Sequence, residues 1–153
     1  GILLIFYWSN NNKLVNNLKN TNNLNFKFKT FGILSALFLI LHSIFLGIKF
    51  DFQIYKLFRR VVLLSFIIFE IIAQGILVYN FYKMKNKISN LINSKVLKIK
   101  ILLVSLLAVV AILTIPILID SGNVHFKYGL EWNYFVGVII FYLLTRLLWK
   151  KTT

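Results

Sequence analysis

Cysteine is absent from this chain and acidic residues nearly so: Asp51, Glu70, Asp120 and Glu131 are its four carboxylates. Without cysteine there are no disulfides, no thiolate zinc sites and no cysteine nucleophile. The phosphate-cradling patterns GxxxxGK[ST] and GxGxxG are missing, as are HExxH and GxSxG. No set of nucleophile, base and orienting group can be assembled from what remains. The expectation is therefore a chain that is not an enzyme and holds no cofactor or metal.

What is present is apolar. Of 153 residues 59% are hydrophobic and 16% aromatic, while only 14% are charged. Soluble domains carry about a quarter of their residues as charges. The charges are also unevenly placed. Residues 31–48 and 101–119 contain none, 61–82 contain only Glu70, and 132–149 contain only Arg146. A hydrocarbon core of about 30 Å takes roughly 20 apolar residues of helix. Lipid offers backbone N–H and C=O groups no partner, so only helices or closed barrels can cross. Residues 101–112, ILLVSLLAVVAI, lack the alternation of a barrel strand. The pattern predicts an all-α, polytopic membrane helix bundle with four complete transmembrane helices at about 31–49, 61–82, 101–119 and 132–149. The whole chain, 1–153, then reads as a single membrane domain.

Residues 1–8, GILLIFYW, are too short to cross, and the one methionine is Met84. They read as the last turns of a truncated fifth helix that begins upstream; an interfacial anchor is the alternative. Residues 9–30 are Asn-rich and read as a poorly ordered loop.

A formal charge of +14 on a soluble domain would point to nucleic acid. Here the bases lie between apolar segments, so they report topology, and no nucleic-acid partner is expected. Residues 9–30, 83–100 and 146–153 hold thirteen of the eighteen lysines and arginines; 49–60 and 120–131 hold the other five. Lys and Arg gather on the cytoplasmic side of a membrane. Both ends of the four-helix unit should then be cytoplasmic, in a cell inner (plasma) membrane, with 49–60 and 120–131 outside. Tyr79, Tyr82, Trp132, Tyr134 and Trp149 sit at the expected interfaces. The basic connection 83–100 reads as a solvated linker, with a surface-lying amphipathic helix as the alternative. Residues 51–60, DFQIYKLFRR, read as a short interfacial helix, and DSGN at 120–123 as a turn.

Chemistry is concentrated at mid-span. Glu70 lies near the middle of the second segment with Gln74 at i+4, on one face. An acid at that depth costs about 2.5–3.5 kcal/mol on insertion scales and usually faces the bundle interior. It holds either a proton or cation, or a hydrogen bond that fixes helix packing. His42 falls in the middle of the first segment, at a depth where it could pair with Glu70. Bis-His haem would need a second histidine at that depth, and His125 lies in an outer loop. Arg146, a turn from the end of the fourth segment, can reach the inner headgroups. Two stripes of small residues, Gly32, Ala36, Ser43 and Gly47 in the first segment and Ser105, Ala108 and Ala111 in the third, suit close helix packing.

Function follows at the same resolution. The first expectation is a non-catalytic accessory or assembly subunit, whose partners are the lipid bilayer and a membrane protein or second copy. The alternative is an ion- or proton-coupled transporter or channel subunit using Glu70, Gln74 and His42.

Overall fold

The computed structural model describes the backbone of residues 1–17, 27–48, 52–119 and 124–150, and the side chains of these except 114–119, 124–128, 130 and 131. Five α-helices follow in order: α1 (Ile2–Asn17), α2 (Lys27–Leu46), α3 (Gln53–Met84), α4 (Ser94–Ile119) and α5 (Val124–Leu148). No strand occurs among the described residues; Ile92 and Trp149 form an isolated bridge. Among the described residues three helices are long and apolar enough to cross a membrane: Lys27–Leu46, Gln53–Met84 and the Ser94–Leu113 part of α4. In α5 the apolar stretch Trp132–Leu148 is shorter. The chain divides into two compact units, residues 1–76 and 77–153, with the boundary inside α3.

In the first unit α1 and α2 pack antiparallel. Trp8 is buried with its indole on Gly32, where an added Cβ would stand 2.3 Å from the ring. Phe28 lies 6.2 Å from the same ring, and Gly1 approaches Ile40 at the other end. Trp8, Asn11 and Val15, spaced at helical intervals, form the buried stripe of α1. This corrects the reading of 9–30 as a loop throughout. Residues 9–17 are helical, because Asn11 and Val15 are buried and Asn11 Nδ2 donates to the Tyr7 carbonyl at 2.9 Å. Packing has overridden the low helix propensity of asparagine. The rest of that loop falls largely on residues 18–26, outside those described. Residues 2–8 are the first part of α1, which continues to Asn17.

α2 and the first half of α3 are joined by rings. Phe69 is stacked on Phe31 and Phe38, at 6.0 and 5.5 Å. Phe45 meets Phe58 edge-on at 5.2 Å. The Tyr55 hydroxyl reaches the carbonyls of Phe45 and Ile48 at 2.5 and 2.9 Å, covering the unsatisfied end of α2. The interfacial helix expected before residue 61 is the first part of one continuous 32-residue helix. At 1.5 Å per residue it is roughly 48 Å long, more than a hydrocarbon core requires.

In the second unit α4 and α5 are antiparallel. Leu107 is seated on Gly137, whose absent Cβ would come within 2.6 Å of it. The basic connection is shorter than expected, with turns over 85–91 and α4 already running from Ser94. Asn93 caps α4, its Oδ1 accepting from Lys95 N at 3.0 Å. The connection is not a free linker either. Met84, Ile88 and Ile92 are buried. Asn93 N donates to the Leu148 carbonyl at 2.8 Å and Lys150 N to the Leu91 carbonyl at 2.9 Å. Phe81 and Trp149 meet edge-on at 5.9 Å. Most of the outer loop expected over 120–131 belongs to α5, and the DSGN turn lies outside the described residues.

Candidate functional site

Glu70 is buried completely, and so are Ser35 and Gln74. Ser35 Oγ lies 2.5 Å from Glu70 Oε2, joining α2 to α3. Gln74, one turn further along α3, donates through Nε2 to Glu70 Oε1 at 3.0 Å. Ser35 Oγ also lies 2.9 Å from the carbonyl of Gly32. Gly32 turns its bare face to Trp8 of α1 while its carbonyl serves Ser35, so the three helices of this unit meet around one residue. The arrangement is local in origin. Glu70 and Gln74 share a face through their i, i+4 spacing, and the stacking of Phe69 between Phe31 and Phe38 sets the register that brings Ser35 opposite.

The glutamate and the glutamine therefore come together as their spacing predicts. His42 does not join them. It stands two turns beyond Ser35, roughly 10 Å along the helix, and beside Arg59. Its Nδ1 is buried without a hydrogen-bond partner. Equal depth on two apolar segments was a poor guide to pairing, because α3 begins eight residues earlier than its apolar run. Arg146 is exposed in the last turn of α5. Of the small-residue stripe on α2, Gly32 and Ala36 are buried, but Ser43 and Gly47 are exposed.

Two buried polar residues escape a reading by composition. Ser35 is an ordinary serine in an apolar run; its place three residues after Gly32 is the only hint. Lys100 belongs by charge to the basic connection, yet it is wholly buried. Its Nζ donates to Thr145 Oγ1 at 2.5 Å and stands 3.8 Å over the Phe141 ring. Thr145 passes its own hydrogen to the Phe141 carbonyl at 3.1 Å. A signal existed: Leu97, Lys100, Val104 and Leu107 recur at helical spacing, and all four are buried. Ser105, from the stripe expected to pack, is exposed instead.

Chemically, both clusters hold helices to one another through groups too polar to leave unpaired in an apolar interior. Among the described residues no group of three or more His, Cys, Asp or Glu could bind a metal ion. Fold and site together define, among the described residues, an all-helical chain with three helices long and apolar enough to cross a membrane and several polar side chains buried. No family model, curated protein or solved structure matches it.

Proposed function

We propose that this chain is a small polytopic membrane protein, crossing four times, that serves as a non-catalytic accessory or assembly subunit. The observation that carries the reading is an apolar outer surface combined with buried polar groups that bond one another. Leu102, Leu106, Val109 and Leu113 form an exposed face of α4, and Val136, Ile139, Ile140, Leu143 and Leu147 one of α5. Among an otherwise largely apolar buried set lie Glu70, Gln74, Ser35, Lys100 and Thr145. Water would disfavour such continuous apolar faces; lipid accepts them, and a polar side chain in hydrocarbon must find its partner within the protein. On this reading the bound groups act as packing clasps, and Arg146 lies at the inner headgroups. The orientation follows the lysines, with both ends of the four-helix unit cytoplasmic. Partners are the bilayer and a membrane protein or second copy.

A second reading, an ion- or proton-coupled transporter or channel subunit, is favoured by one observation. Gln74 Oε1, buried beside the carboxyl, has no hydrogen-bond donor. Glu70→Gln separates the two readings. As a packing group it should keep expression and assembly, because an amide can bond both Ser35 and Gln74. A cation or proton flux in proteoliposomes that this variant abolishes, with assembly intact, would replace the accessory reading by the transport one.

A further inference from the structure

One end of the second unit gathers positive charge with no acid in its own sequence to balance it. α4 and α5 are antiparallel, so the start of α4 stands beside the end of α5. Two backbone hydrogen bonds tie these ends, from Asn93 N to the Leu148 carbonyl and from Lys150 N to the Leu91 carbonyl. Lys87, Lys95, Lys98, Arg146 and Lys150 are thereby collected at one end, and all five are exposed. No Asp or Glu occurs in residues 71–119 or 132–153. The bases stand on a folded platform: Met84, Ile88 and Ile92 are buried in it, and Lys150 Nζ donates to the Ser89 carbonyl at 2.9 Å. Lys95 is in the first turn of α4 and Lys98 in the second, at the end where the helix dipole disfavours cations. These two charges weaken the helix they belong to, so their use lies outside the fold.

Whatever meets these charges must be anionic and must also border hydrocarbon. The exposed apolar faces begin directly at the platform: Ile99 and Leu102 follow Lys98 on α4, and Leu143 and Leu147 precede Lys150 on α5. From Lys95 to Leu102 the helix rises roughly 10 Å, close to the thickness of a headgroup layer. Leu91 is exposed among the lysines, where a membrane interface accepts a leucine better than water does. We propose that this platform is a binding surface for the headgroups of anionic phospholipids. The proposal rests on the membrane reading above and adds to it a lipid class and a place. A lysine held at an anionic leaflet contributes about fivefold to affinity, so a cluster fixed on a folded surface selects strongly by charge. An acidic protein segment would satisfy the charges but not the apolar belt that borders them.

The test is lipid selectivity of the full chain in phosphatidylcholine vesicles containing trace spin-labelled phosphatidylglycerol or spin-labelled phosphatidylcholine. Electron spin resonance gives the fraction of each label that the protein immobilises. At low salt a severalfold preference for phosphatidylglycerol is expected, collapsing in about 1 M NaCl, where the Debye length is about 3 Å. The triple variant Lys87→Gln, Lys95→Gln, Lys98→Gln should bring the preference close to one, while Lys→Arg at the same three positions should keep it. Removing three bases elsewhere, by Lys13→Gln, Lys56→Gln and Arg60→Gln, should change it little. No preference in the parent chain, a preference that the platform variant retains, or an equal loss in the control variant each overturns the proposal. A chain indifferent to phosphatidylglycerol that instead retains polyglutamate would give the surface to an acidic protein, and overturns it too. Failure of the membrane reading looks different, since the chain would then leave the vesicles in alkaline carbonate.

Discussion

At the scale of single residues, the energetics are set by what a buried polar group touches. Lys100 has one hydrogen-bond acceptor, Thr145, and one ring, Phe141. Thr145→Val should destabilise the second unit by about 1–3 kcal/mol, the cost of a buried donor left without its partner. Lys100→Met removes the donor while keeping much of its length, and replacing a buried charge by an apolar side chain is often neutral. The double variant should therefore recover most of the loss, as read by denaturant titration in detergent; additive effects would contradict the pairing. Gly32 makes a second case. The Trp8 ring occupies the place of a Cβ, so Gly32→Ala should cost about 1–3 kcal/mol through overpacking. With Trp132 and Trp149 replaced by Phe, Trp8 fluorescence reports it, shifting as the ring moves.

At the scale of elements, boundaries came from packing more than from composition. The apolar run 61–82 is visible without a structure, but α3 extends from Gln53 because Tyr55 and Phe58 pack on Phe45. α1 continues into asparagines because α2 offers them a surface. The basic connection before α4 folds into turns because Leu91–Asn93 pairs with Leu148–Lys150. Trp149→Ala tests that last point. It removes the edge-on contact with Phe81, and such pairs contribute about 0.5–1.5 kcal/mol. Local opening should become roughly two- to tenfold more frequent, and tryptic cleavage at Lys85 and Lys87 correspondingly faster. Unchanged cleavage would mean that the connection holds without its aromatic anchor.

At the scale of the whole molecule, the proposed topology makes a prediction that the missing cysteines keep free of background. Single cysteines introduced at Asn22, Gln53, Asn90 and Asn123 should react with an impermeant maleimide from outside only at positions 53 and 123. Labelling from outside at position 90 would invert the orientation. The chain should also stay with the membrane through an alkaline carbonate wash; release would end the membrane reading. Glu70 was legible as the residue to explain, since it is the one charged residue in the 22 of segment 61–82. Its partner Ser35 was not, because a serine has no signature until a second helix places something opposite it.

The sequence by itself determined the helical class, the apolar segments and the presence of one acid in the middle of the second of them. Each follows from a sum over neighbours in the chain: enough apolar residues in a row, too few charges, no alternation. Which groups share a hydrogen bond was decided only by tertiary structure. Ser35 rather than His42 meets Glu70, and Lys100 faces Thr145 rather than water. The physical reason is register. A shift of two turns between packed helices changes every pairing between them while leaving the apolar runs that define them the same.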